Sequence, residues 1–338
     1  MAGKVLARRR LIALGLGGAA GLGLAPKIMI GGKAMAAANP QTMVYVSNAG
    51  SKDICVLAMD RATGALELIE KTPVPGTDKP SPASLPMTTS RDKGFLYAQL
   101  RSEPYPVSTF AIERPSGKLR HIAATPLVDQ MAYLNTDNSG RYLLAASYVG
   151  AKLGVYPINQ DSHVVEAKAT QLLDTKPKAH CVYVGTGNSL YVPVLGGDEV
   201  LELTLDPKTG TVSPNGPGKV DTKANAGPRH FTIHPNGKWA YLITETTATI
   251  GLYNIDPASG QLSEVAFVDL GDYNGKDSAA ASDIHVTPDG KFLYGAVRTT
   301  STLHGYKVDP GNGTLTPIGK FATEKTPRGC AARRVRVR

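Results

Sequence analysis

The chain has 338 residues, 42% hydrophobic and 19% charged, enough apolar side chain for a sizeable core and too much for disorder throughout. Its only long apolar stretch is at the extreme N-terminus, which excludes a polytopic membrane protein. The formal net charge of +9 sits at the ends, with six basic and no acidic residues before residue 39 and four arginines among the last six. The body is close to neutral, so no phosphate-tracking groove and no nucleic-acid partner are expected.

In chain order, the first element is Arg8-Arg9-Arg10-Leu11-Ile12, followed by a Gly/Ala/Leu run from Ala13 to Ala25. Small residues at Ala34-Met35-Ala36-Ala37-Ala38-Asn39-Pro40 then offer A-x-A cleavage sites. A basic region, a short apolar region and a small-residue cut predict a signal peptide over 1–38. The adjacent arginines and the weakly apolar run favour the twin-arginine export machinery. The expectation is a periplasmic protein with no stable membrane insertion after cleavage. An uncleaved anchor is the alternative, but the apolar run is short for a span of ~20 residues.

The body from residue 39 onward is a repeat. A turn followed by an apolar strand recurs at Asp92–Tyr97, Ser139–Leu144, Gly187–Tyr191, Asn236–Tyr241 and Asp289–Tyr294, with a partial copy at Met43–Val46. Taking Tyr45, Tyr97, Leu144, Tyr191, Tyr241 and Tyr294 as markers, the spacings are 52, 47, 47, 50 and 53. A second motif keeps the same beat: Asp60–Leu66, Asp206–Val212, Asp256–Leu262 and Asp309–Leu315, each with a glycine at its fifth position, with a weaker copy at Ser116–Leu119 and one near Asp161 that has lost the glycine. Such turns supply positive φ between strands. The 36 glycines and 24 prolines fit this reading. Within one unit, Ile284–Val286, Phe292–Val297 and Leu303–Val308 read as strands, with a fourth after Leu315. Four-stranded units at this period predict an all-β propeller. Two packed β-sandwiches are the rival, and the constant period argues against them. The cysteines Cys55, Cys181 and Cys330 form neither a disulfide framework nor a C-x-x-C zinc motif, and Cys55 and Cys181 are expected to be small buried apolar residues.

From Val44 to Gly329 the chain resembles the seven-bladed β-propeller lactonase family, which includes the propeller-type 6-phosphogluconolactonases and shares its fold with the carboxy-muconate cyclases. The resemblance rests on Gly227-Pro228-Arg229-His230-Phe231-Thr232-Ile233-His234-Pro235, on Asp283-Ile284-His285-Val286-Thr287-Pro288-Asp289-Gly290 and on Thr326-Pro327-Arg328-Gly329. It implies a propeller domain over 39–329. The chain departs from the family after Gly329, where an aberrant basic tail, 330–338, stands in place of a further blade. The expectation is about six blades with the last missing, a first blade lacking one strand, and an open ring prone to self-association.

The resemblance also implies an active-site cluster of His180, Arg229, Glu245 and Arg298, and an activity: hydrolysis of a small-molecule sugar lactone to its aldonic acid by general-base attack of water. Two arginine forks suit a carboxylate, a phosphate or a developing oxyanion. His180 is the expected base, with Glu245 orienting a guanidinium or serving as base itself. A muconate-lactonising cyclase, a non-catalytic exported propeller and an inactive remnant remain alternatives. Each residue also has a structural alternative, such as an Arg–Glu link between blades. His230 and His285 are expected to line the channel and bind substrate, or else to hydrogen-bond between blades. No metal is expected: His230 and His234 would stand ~13 Å apart along a strand, and Asp283 and His285 share a face ~6.6 Å apart with no third ligand fixed. No G-x-S-x-G, H-E-x-x-H or P-loop is present, and no cofactor is implied.

Overall fold

The computed structural model describes residues 42–81, 84–271 and 280–330. The predicted signal segment 1–38 and residues 331–338 of the predicted tail lie outside them. No helix among the described residues is long and apolar enough to cross a membrane.

The glycine turns do what the repeat requires. Asp60, Asp256 and Asp309 each accept two backbone N–H groups from the turn that follows them. The closing glycines Gly64, Gly210, Gly260 and Gly313 adopt φ of 72°, 73°, 75° and 77°, a region open to glycine at no steric cost. Between such turns the strands fold back on one another in six antiparallel sheets, five of four strands and a first of three. In every sheet the strands lie in sequence order, the meander of a propeller blade. The sixth blade is Ala281–Val286, Phe292–Val297, Thr302–Val308 and Leu315–Ala322, the four strands predicted there.

The blades pack face to face. Each of the five interfaces between consecutive blades holds one cluster of buried apolar side chains. Tyr241, Ile243 and Ile250 of the fifth blade meet Ile284, Leu293 and Tyr306 of the sixth, for example. One core per blade pair fits a ring and rules out two sandwiches. The first strands of neighbouring blades touch, as Pro228–Ile233 does Ala281–Val286, so these inner strands face a common axis. In the first blade Tyr45 falls on the first described strand, Thr42–Asn48, whereas the markers of the other five blades fall on second strands. That blade lacks an inner strand among the described residues, as the period predicts.

A second device joins the blades. Tyr45, Tyr97, Tyr191 and Tyr241 each donate a hydroxyl hydrogen bond to a backbone carbonyl in the turn of the following blade, at Gly117, His163, Gly260 and Gly313, over 2.6–3.1 Å. In the third blade Tyr142 makes the equivalent, longer bond to Lys208 at 3.4 Å. The turn glycine is needed twice over, because a Cβ on Gly313 would sit 2.6 Å from the Trp239 ring of the preceding blade. Tyr294, the matching residue of the sixth blade, is half-buried and has no such bond among the described residues. One cysteine expectation needs correction. Cys181 is buried, but Cys55 is only half-buried and accepts a contact from the Asn48 amide at 3.3 Å.

Candidate active site

Two registers of the blade supply the site. Inner strands contribute Arg229 and His230 from Pro228–Ile233, and Asp283 and His285 from Ala281–Val286. His180 lies just before the inner strand Tyr183–Val184 of the fourth blade, its backbone N–H fixed on the Pro193 carbonyl at 3.0 Å. The second register is the exit of the second strand, four residues past each marker. Arg101, Tyr148, Glu245 and Arg298 all occupy it.

Glu245 is the hub. Its Oε2 accepts from Arg229 Nε at 2.8 Å and from Arg298 Nη2 at 2.9 Å. The Arg298 Nε donates to the Ala280 carbonyl at 2.7 Å, which pins that fork. Arg229 is 1% exposed and its Nη1 is buried without a partner. Burial pulls Arg229 down to about 10 against the attraction of Glu245, so it remains charged at neutral pH. Two further arginines belong to the same electrostatic neighbourhood. Buried Arg101 donates to Ser84 Oγ at 2.9 Å and leaves its Nε unpartnered. Arg328, beyond the last strand, is lowered first by burial and then by Arg298.

The imidazoles sit beside this cluster. His180 and His230 meet edge to face with ring centroids 5.1 Å apart. Burial and then the Arg229 charge push His180 well below the usual histidine range, and its Nδ1 is buried without a partner. The same two causes push His230 down to about 4. His230 Nδ1 lies 2.8 Å from Asp283 Oδ1. Burial alone would raise the Asp283 carboxyl, but His285 and His230 outweigh it and hold the group well below the usual range. An ionised carboxylate only accepts hydrogen bonds. The neutral His230 therefore carries its proton on Nδ1, and Nε2 keeps a free lone pair. His285 approaches the other oxygen, Asp283 Oδ2, through Nε2 at 3.2 Å. Burial disfavours its charge, but Asp283 raises it overall. The Cys330 backbone N–H donates to the same Oδ2 at 2.7 Å.

The fold thus brings His180, Arg229, His230, Glu245 and Arg298 together, and joins His285 to them through Asp283. His234 stands apart and bonds the Gly290 carbonyl of the sixth blade at 2.9 Å, a tie between blades. Sequence reasoning passed over Arg101, Arg328 and the bridging role of Asp283. Arg101 was findable, because it shares the marker-plus-four position with Glu245 and Arg298.

The family described as "Lactonase, 7-bladed beta-propeller" matches residues 75–334. A 6-phosphogluconolactonase of Pectobacterium carotovorum is 35% identical over 290 residues, spanning 86% of this chain and 84% of the relative. One from Serratia proteamaculans is 34% identical, spanning 85% and 83%. Among solved structures, a candidate 6-phosphogluconolactonase of Bacteroides fragilis superposes with a TM-score of 0.74 at 26% identity, over 87% of this chain and 85% of that one. The six described blades, their inner strands and these matches agree: the chain belongs to the seven-bladed β-propeller lactonase family.

Proposed function

We propose that the protein hydrolyses the lactone of an anionic sugar acid, with His230 as general base. The observation that carries this is the His230–Asp283 hydrogen bond of 2.8 Å beside the Arg229–Glu245–Arg298 group. A base works best when its second nitrogen is fixed by a third group. Asp283 does this for His230, whereas the Nδ1 of His180 has no partner. His230 therefore takes the role that the sequence pattern offers to His180, and His180 packs against it and positions it.

The lactone carbonyl oxygen accepts a hydrogen bond from the more exposed Arg298 fork, and the buried Arg229 adds its charge from behind. Water attacks the carbonyl carbon and gives a proton to His230 Nε2. The two guanidinium charges stabilise the oxyanion. Collapse breaks the bond to the ring oxygen, and His230 returns the proton to that oxygen, leaving a hydroxy acid. Glu245 holds both forks and stays outside the proton path. Four arginines against few carboxylates favour an anionic substrate, consistent with relatives named 6-phosphogluconolactonase. Twin-arginine export through residues 8–25 to the periplasm completes the reading.

The test is turnover of a panel of gluconolactone, 6-phosphogluconolactone and carboxy-muconate. The phosphorylated lactone is expected to show the highest kcat/KM, and His230→Asn to lower kcat about 100-fold or more. Turnover of carboxy-muconate alone points to the cyclase, and turnover of none to a binding propeller. Full kcat in His230→Asn with loss in His180→Asn returns the base to His180.

A further inference from the structure

Asp283, His285 and Cys330 each offer one possible ligand atom, and the three atoms lie within 4.8 Å of one another. The spacing of Asp283 and His285 in sequence leaves them without a third donor. The fold supplies it by carrying the chain after the last strand back across the inner strand of the sixth blade.

We propose that these three side chains form a zinc-type divalent metal site with its fourth position open to solvent. The donor set is a carboxylate oxygen, an imidazole nitrogen and a thiolate sulfur, the combination Zn²⁺ takes in tetrahedral geometry. Bonds of about 2.0–2.3 Å put tetrahedral donors roughly 3.3–3.8 Å apart, so the present spread closes by about 1 Å on binding. Asp283 and a Cys330 thiolate together balance a charge of +2. The outer contacts are also in place. His230 donates to Asp283 Oδ1 at 2.8 Å, which fixes the carboxylate plane and leaves Oδ2 facing His285 and Cys330. Such partners of a ligand orient it and tune its affinity. The His285 side chain is 37% exposed and Cys330 is half-buried, so an ion has a path in.

A metal takes cysteine as the thiolate and histidine as the neutral imidazole, so binding here releases protons and weakens as pH falls. The site shares Asp283 with the His230 pair but does not rest on the lactone reading, because its readout is metal binding.

The test uses the full chain, stripped of metal with a chelator and titrated with Zn²⁺ in buffers of different ionisation enthalpy. Co²⁺ is used in parallel as a spectroscopic probe. One equivalent is expected, with proton release and a thiolate-to-cobalt charge-transfer band. Cys330→Ser should remove the band and weaken Zn²⁺ at least as much as loss of an outer partner does, about 10–100-fold. Cys55 and Cys181 remain, so loss of the band reports on Cys330 alone. Cys330 follows the last strand and belongs to no sheet, and an unchanged metal-free melting curve confirms that the variant is folded. His285→Asn provides a second variant with the same expected loss of affinity. Absence of stoichiometric uptake, or an unchanged band and affinity in Cys330→Ser, overturns the proposal.

Discussion

Replacing Glu245 with alanine removes the one acceptor on which two guanidiniums converge, at 2.8 and 2.9 Å. The three side chains are not equally placed: Arg229 is 2% exposed, Arg298 13% and Glu245 22%. A unit charge pair separated by about 4 Å attracts by about 4 kcal/mol at the effective dielectric of a partly buried site. Arg298 keeps its bond to the Ala280 carbonyl and can rehydrate. Arg229 can do neither, and it already holds one unpartnered Nη1. The cost is therefore that of stranding one buried charge, about 3–5 kcal/mol, or roughly 10 °C in Tm for a protein of this size. Urea denaturation of the wild type, Glu245→Ala, Arg298→Met and the double variant measures it. The double variant should be less destabilised than the sum of the singles, by about 0.5–3 kcal/mol, because removing Arg298 relieves its repulsion with Arg229. A Glu245→Ala variant that loses less than about 1 kcal/mol would refute the claim that Glu245 neutralises a buried charge.

Tyr241→Phe leaves the Gly313 carbonyl without its 2.7 Å partner at a buried interface and should cost about 1–3 kcal/mol. Tyr294→Phe, at the equivalent position with no such bond among the described residues, should stay within about 0.5 kcal/mol in the same urea titration. Arg298→Lys keeps the charge but loses the fork, so kcat/KM for the preferred lactone should fall about 100-fold or more; an unchanged value removes Arg298 from oxyanion binding. His230 and His304 are each lowered from 6.5 to about 4, by burial and then by Arg229 and Lys320 respectively. Between those pH values the unfolded chain binds more protons than the native one, so stability rises with pH across the window and is lost as pH falls through it. His285, raised by Asp283, contributes in the opposite sense, its stabilisation fading as pH rises past its folded value. Urea midpoints from pH 4 to 7 should show the net rise, and His304→Gln should flatten it by up to one proton's worth, about 1.4 kcal/mol per pH unit.

The architecture was legible because a marker residue returns every 47–53 residues and a glycine turn recurs in five of the six units, and each carries its own physical reason. Strand ends such as Phe292–Val297 could be read directly from alternation between turns. The site was legible as a list and not as a mechanism. Glu245 and the two arginines were named, but the shared Oε2 that binds them depends on how adjacent blades meet. His230 and Asp283 lie 53 positions apart, on inner strands of neighbouring blades, and no local pattern records that their side chains face each other. Arg101 looked like a lone charge between Leu100 and Ser102 because its register was not compared with those of Glu245 and Arg298. Cys330 was assigned to the tail and set aside, although the backbone turns it onto Asp283.

The tyrosine bonds between blades all run one way. Each spans 66–72 residues and passes from a blade to the one made after it. During synthesis a blade can complete its own sheet, yet its hydroxyl stays in water until the successor's turn has emerged. At about 5–20 residues per second that wait is roughly 3–14 s. Maturation is therefore a relay in which each blade is locked by its successor, and a mutation in one turn is felt first by the blade before it.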